Sequence, residues 1–173
     1  MQNPGWMWIA VAVISSSAYA ATCTTVERAQ ASIFPGAQMT RAFVTLTGEQ
    51  VSAIEKRTGL NVLWKEIRRW KTSDGGSFLV DEVVGRHKFF TLAVGLSADG
   101  SVKQIEILDY KEISGSEVGN DAWRRHFIGK TSTAALALTD DIENISGTTL
   151  SCRHVTDALR RLLATYDIAL RSS

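Results

Sequence analysis

Six residues near the C-terminus, Ser146-Gly147-Thr148-Thr149-Leu150-Ser151, place four hydroxyls and a glycine at the start of an apolar helical stripe. The first turn of a helix carries backbone N–H groups without intrahelical partners, and the macrodipole is positive there. A phosphate at that edge gains hydrogen bonds and favourable charge. Gly147 lets the backbone approach without a Cβ in the way. Thr149 and Ser151 supply hydroxyls that can hold such a phosphate or be esterified by it. Ser and Thr also precede helices for capping alone, so the hexapeptide by itself leaves both readings open.

The elements that must position this run can be read along the chain. Thr24 to Phe34 reads as a helix burying Val26, Ala29, Ile33 and Phe34, with Pro35-Gly36 as its stop. Ala42 to Leu46 is a short extended run, and Thr47-Gly48-Glu49-Gln50 is a capping-box pattern. The helix it opens should bury Val51 and Ile54 and end at Thr58-Gly59. Four strands follow: Val62 to Thr72, Phe78 to Val84, Phe89 to Leu96 and Val102 to Tyr110. Turns at Ser73-Asp74-Gly75-Gly76 and Asp99-Gly100 join them as hairpins. In the last strand Ile105 and Ile107 should point inward, with Lys103 and Glu106 outward. Ile113 to Gly119 is a glycine-containing loop, and Asp121 to Phe127 a short helix ended by Gly129. Lys130 to Thr139 reads as irregular. Leu150, Val155, Leu159, Leu162, Leu163, Tyr166 and Leu170 form the stripe of a final helix, with Arg153, Asp157, Arg160 and Arg161 toward water. The expected fold is α+β: an antiparallel sheet of hairpin-connected strands packed against N-terminal and C-terminal helices.

A chain of 173 residues with 45% hydrophobic content suits one domain. Its net charge of +1, with Lys and Arg scattered, gives no nucleic-acid surface. Trp6 to Ile14 is an unbroken apolar run leading to Ser15-Ser16-Ser17 and a small-x-small site at Ala18-Tyr19-Ala20. This reads as a secretory signal peptide over residues 1–20, leaving residues 21–173 as the mature domain in a periplasmic or other extracytoplasmic compartment. An uncleaved anchor is the alternative, since no Lys or Arg precedes the run. Cys23 and Cys152 are an exported pair for which a disulfide and two separate thiols are both open.

The hydroxyl run extends into a longer pattern. Glu143-Asn144-Ile145-Ser146-Gly147-Thr148-Thr149-Leu150-Ser151 aligns with D-x-x-[ST]-G-A-T-x-[ST], matching it at Ser146, Gly147, Thr149 and Ser151. Upstream stand Asp81, Gly85 and His87; then Tyr110-Lys111-Glu112, Gly115, Glu117 and Val118; then Trp123, Phe127, Gly129 and Lys130. In this order and spacing, from about residue 78 to 163, the chain resembles the FMN-binding domain family, and its small secreted members in particular. That family includes the covalent-flavin subunits of sodium-pumping quinone reductases and Rnf-type membrane complexes. The resemblance implies an FMN joined through its phosphate to Ser151, installed by a flavin transferase. Thr149 corresponds to the motif's inner threonine. The chain departs from the pattern at Thr148 (for Ala), Glu143 (for Asp) and Ser151 (where Thr is commoner). Threonine for alanine adds bulk in a tight turn, so reversible FMN binding stays open beside the ester; serine keeps the nucleophilic oxygen.

The resemblance also gives other residues candidate roles. Ser146, Gly147 and Thr148 belong to the cofactor-binding run, and Glu112 and Glu117 bracket a glycine turn expected near the flavin. His87 is a candidate donor to the flavin, against an ordinary surface histidine. Trp123 and Phe127 could stack on the ring, although two aromatics on a helix face usually join the core. Lys130 could neutralise phosphate charge or be solvated. Cys152 falls in the first helical turn, where a thiol pKa tends to fall, with no partner base placed beside it. His126 and His154 lack metal-ligand spacing with each other or with the cysteines. Without a G-x-S-x-G elbow or other catalytic set, Ser151 reads as a modification site. The expected function is an exported flavoprotein relaying electrons to a redox partner, membrane-bound or not, rather than a stand-alone enzyme. The rival is a secreted α+β binding or scaffold module without a redox cofactor.

Overall fold

A computed structural model describes residues 25–84, 89–108, 120–146 and 149–172. The first helix, α1 (Val26–Ile33), is capped by Thr25, whose hydroxyl accepts the Arg28 N–H. Strands β1 (Met39–Arg41) and β2 (Val44–Thr45) lead to α2 (Gly48–Thr58). The expected capping box is present: the Thr47 hydroxyl accepts the Gln50 N–H, and the Gln50 side chain accepts the Thr47 N–H. Gly59 stops α2 at φ +69°, a left-handed conformation that costs glycine nothing.

Next come β3 (Glu66–Thr72), β4 (Ser77–Val84), β5 (Phe89–Leu96) and β6 (Val102–Ile107). They pair antiparallel in the order β1-β3-β4-β5-β6, with β2 also on β3. A short helix α3 (Asp121–Arg124) runs into a 3-10 turn at Arg125–Phe127. The chain then reaches α4 (Thr149–Thr165), which widens into a π turn over Tyr166–Leu170. The fold is therefore α+β, as the pattern predicts.

Strand alternation gives the sheet two faces. Leu79 and Val83 on β4, Phe90, Leu92, Val94 and Leu96 on β5, and Ile105 on β6 join Val155, Leu159, Leu162 and Leu163 of α4 in the larger core. Ile54 of α2 belongs to the same cluster. On the opposite face Phe78, Val80 and Ala93 pack with Ala29, Ile33 and Phe34 around α1. Gly95 lies under α1: a Cβ there would sit 2.2 Å from Ile33 Cγ2.

Several expectations change. The strand expected from Val62 begins only at Glu66, because the Val62 N–H donates to the Glu55 side chain at 2.9 Å instead of joining a ladder. Met39–Arg41 forms an edge strand on β3 that its polar sequence does not announce. Glu106 does not face water but bonds Arg124, with both side chains nearly buried. Arg161 is drawn inward by Asp81, while Leu150, assigned to the apolar stripe, is 43% exposed. The helical period explains the last point, since Leu150 falls on the side opposite Leu159 and Leu163.

Candidate functional site

The hydroxyl run is delivered by a pinned segment. The Trp123 indole N–H donates to the Glu143 carbonyl at 2.7 Å, and His126 Nε2 lies 3.2 Å from the Glu143 carboxylate. Trp123 and Phe127 are buried and meet edge to face at 5.0 Å, so they serve the core rather than an open stacking surface. Further upstream, Asp141 accepts the Ala137 N–H at 2.7 Å and the Leu136 N–H at 3.2 Å. Lys130 Nζ is 3.0 Å from the same carboxylate, which commits this lysine to the segment rather than to a phosphate. Burial alone would raise the Asp141 pKa; the backbone and Lys130 hydrogen bonds outweigh it and hold the carboxyl below its ordinary value. Leu136 and Thr139 sit at φ +46° and +69°, left-handed conformations unfavourable for these side chains. The Asp141 carboxylate holds Leu136 through its N–H, and the Thr139 N–H donates to the Ile142 carbonyl at 2.9 Å.

Thr149 is the first helical residue of α4, so the run does meet a helix N-terminus. Ser146, Thr149 and Leu150 are exposed, whereas Ser151 is buried at 6% exposure. At 3.6 residues per turn Thr149 and Ser151 point about 160° apart around the axis. They therefore serve different sides of the helix end. Gly147 and Thr148 lie outside the described residues, as do Glu112, Glu117, His87 and Cys23. Cys152 is fully buried in the larger core.

Beside α4 runs a cleft of about 180 Å³ that sequence reasoning did not find. One wall is His154, Asp157, Ala158 and Arg161 of α4. The other is Leu60, Asn61 and Leu63 from the segment after α2, with Val83 and Val84 from the end of β4. Arg161 at this cleft is fixed by Asp81 at 2.7 Å, and Asp157 is paired with Arg160 at 2.8 Å. The α4 wall had a sequence signal, the spacing from Ser151. The opposite wall had none, because it arrives through tertiary packing of α2 on α4. A second hollow, about 200 Å³ beside β6, shares no residue with the hydroxyl run or its helix. Its Arg124 is already committed to Glu106 and Asp121.

Among the described residues no three His, Cys, Asp or Glu side chains gather as a metal site. No described helix is long and apolar enough to cross a membrane. Residues 85–164 match the family model of the FMN-binding domain. That span includes β5, β6, α3 and nearly all of α4, and leaves α1, α2 and β1–β4 outside it. No curated protein matches the chain.

Proposed function

From the match of residues 85–164 to the FMN-binding domain model, we propose an exported electron-transfer flavoprotein of that family with one FMN esterified to Ser151. The observation that carries the reading is the hydroxyl run at the head of α4, inside the matched span. The residues suit the group. Exposed Ser146 and the N–H groups of the first α4 turn offer donors to a phosphate. The adjoining cleft offers apolar surface to a ring. When bound, the flavin supplies the one- and two-electron chemistry, and the protein supplies its mount.

Ester formation joins Ser151 Oγ to the flavin phosphorus. The hydroxyl proton leaves, and the phosphorus loses its bond to the leaving group of an activated flavin donor held by a transferase. The product weighs one FMN more than the chain, less a water. Ser151 is buried in the folded domain, so the first turn of α4 must open for the transferase. Helix ends are where such local opening costs least.

Export rests on the apolar run and Ala18-Tyr19-Ala20. It places the flavin outside the cytoplasmic membrane, where a redox partner, membrane-bound in this reading, exchanges electrons with it. The test is peptide mapping of protein made with an active flavin transferase. The adduct should fall on Ser151, and Ser151→Ala should abolish it with the circular dichroism unchanged. An adduct that persists in Ser151→Ala would overturn the assignment and move it to Thr149 or Thr148.

A further inference from the structure

We infer that the cleft beside α4 seats the isoalloxazine ring, and that Leu60, Asn61 and Leu63, which precede the matched domain, form its outer wall. This rests on the flavin reading above and adds a recognition element outside the family span.

Four observations carry it. First, Ser151, His154, Ala158 and Arg161 are spaced by three, four and three residues, which puts them on one side of α4. The last three line the cleft, and Ser151 lies one turn before His154, buried and just beyond the lining itself. Second, the reach fits. At about 1.5 Å of rise per residue, His154 lies about 4.5 Å and Ala158 about 10 Å below Ser151 along the axis. The linker from Ser151 Oγ runs through the phosphate and a five-carbon ribityl chain, about eight bonds of about 1.5 Å, and covers roughly 10 Å when extended. It brings the ring to the level of Ala158 when extended and toward His154 when folded.

Third, the lining matches the ring's two ends. Leu60, Leu63, Val83 and Val84 suit its dimethylbenzene edge, while Asn61 and His154 bring polar atoms for its pyrimidine edge. Fourth, Leu63 and Val84 are 42% and 44% exposed, an apolar lip that a planar ring would cover. Ala158 adds little bulk to the α4 wall, and the Arg161–Asp81 pair fixes a firm end to it.

The test uses the FMN-bearing full chain and two variants, Leu63→Asp and Val84→Asp. Both positions are already open to water, so the fold should survive, which circular dichroism checks. Ile128→Asp, at an exposed apolar site away from the cleft lining, is the control. The readout is iodide quenching of flavin fluorescence. Each cleft variant should keep the mass adduct yet raise the quenching constant about twofold or more, as ring surface held by the cleft becomes open to solvent. The control should match wild type. Equal quenching in all four proteins, or an equal rise in the control, would overturn the cleft assignment and leave the ester intact. If wild type carries no adduct, the ester reading fails, and the cleft is tested with free FMN by methyl NMR. Shifts centred on Leu60, Leu63, Val83 and Val84 would support the seat; shifts elsewhere, or none, would overturn it.

Discussion

Arg161 on α4 and Asp81 on β4 meet at 2.7 Å, with both side chains only 12% exposed. The pair ties the final helix to the middle of the sheet and fixes one end of the cleft. An arginine on the flank of an amphipathic helix is normally solvated; here a carboxylate on the facing strand gives it a partner inside.

Loss of either partner should therefore be expensive. Arg161→Leu is expected to cost up to about 3–5 kcal/mol, because it takes the counter-charge from a nearly buried carboxylate that keeps only the Glu82 N–H. Arg160→Leu, one residue away and paired across one turn with Asp157 at about one-third exposure, should cost under about 1 kcal/mol. Urea unfolding of the two variants measures the contrast. Equal small losses would mean that the Arg161–Asp81 pair contributes little.

Trp123→Phe keeps the ring contact with Phe127 and deletes the N–H that holds the Glu143 carbonyl. A loss of about 1–3 kcal/mol is expected for leaving that carbonyl without its donor. The more telling signal is local. Hydrogen exchange should quicken across 144–151, where the anchored segment enters α4. Exchange at the wild-type rate there would show that the indole does not position the run.

Gly95→Ala should push α1 off the sheet, since the new methyl falls 2.2 Å from Ile33 Cγ2 and 3.0 Å from the Phe34 ring. Overpacking of this kind costs about 1–3 kcal/mol. Gly48→Ala, in the first turn of α2 with nothing within 4 Å, should be neutral or slightly stabilising. Gly95→Ala should melt below wild type, and Gly48→Ala at or slightly above it. A Gly95→Ala melt at or above wild type would contradict the packing of α1.

Acid should weaken the fold through two carboxyls. Asp167 is held below its ordinary pKa first by the Arg57 hydrogen bond, with burial opposing and the Arg171 charge assisting. Asp141 is depressed against its own burial by hydrogen bonds from Ala137, Lys130 and Leu136. A depressed folded-state pKa contributes stability above the unfolded value, about 3.9, and that contribution is lost as pH falls through the folded value. The melting temperature should be level from about pH 7 to 5 with respect to these groups and should drop below about pH 4. Asp141→Asn should lower the neutral-pH melt and flatten the acid slope. An unchanged slope would remove Asp141 from this account.

Much of the scaffold was legible because local chemistry fixes it. Thr47 and Gln50 form the capping box their spacing spells, Gly59 and Gly100 take the left-handed turns, and β5 alternates as Phe90, Leu92, Val94 and Leu96 require. What escaped was set by distant partners. Met39–Arg41 is a strand only because β3 offers it an edge. Glu106 turns inward only because Arg124 meets it. At the site, α4 begins at Thr149, close to where the hydroxyls imply, yet their differing exposure depends on helix azimuth. The wall at Leu60 to Leu63 arrives from outside the matched span and has no signature in the run itself.

The central claim meets its most direct test in the intact mass of the exported chain, made with an active flavin transferase and analysed after denaturation. The chain should carry one added FMN less a water, with yellow absorbance that stays with the unfolded polypeptide. An unmodified mass with a colourless polypeptide would contradict it.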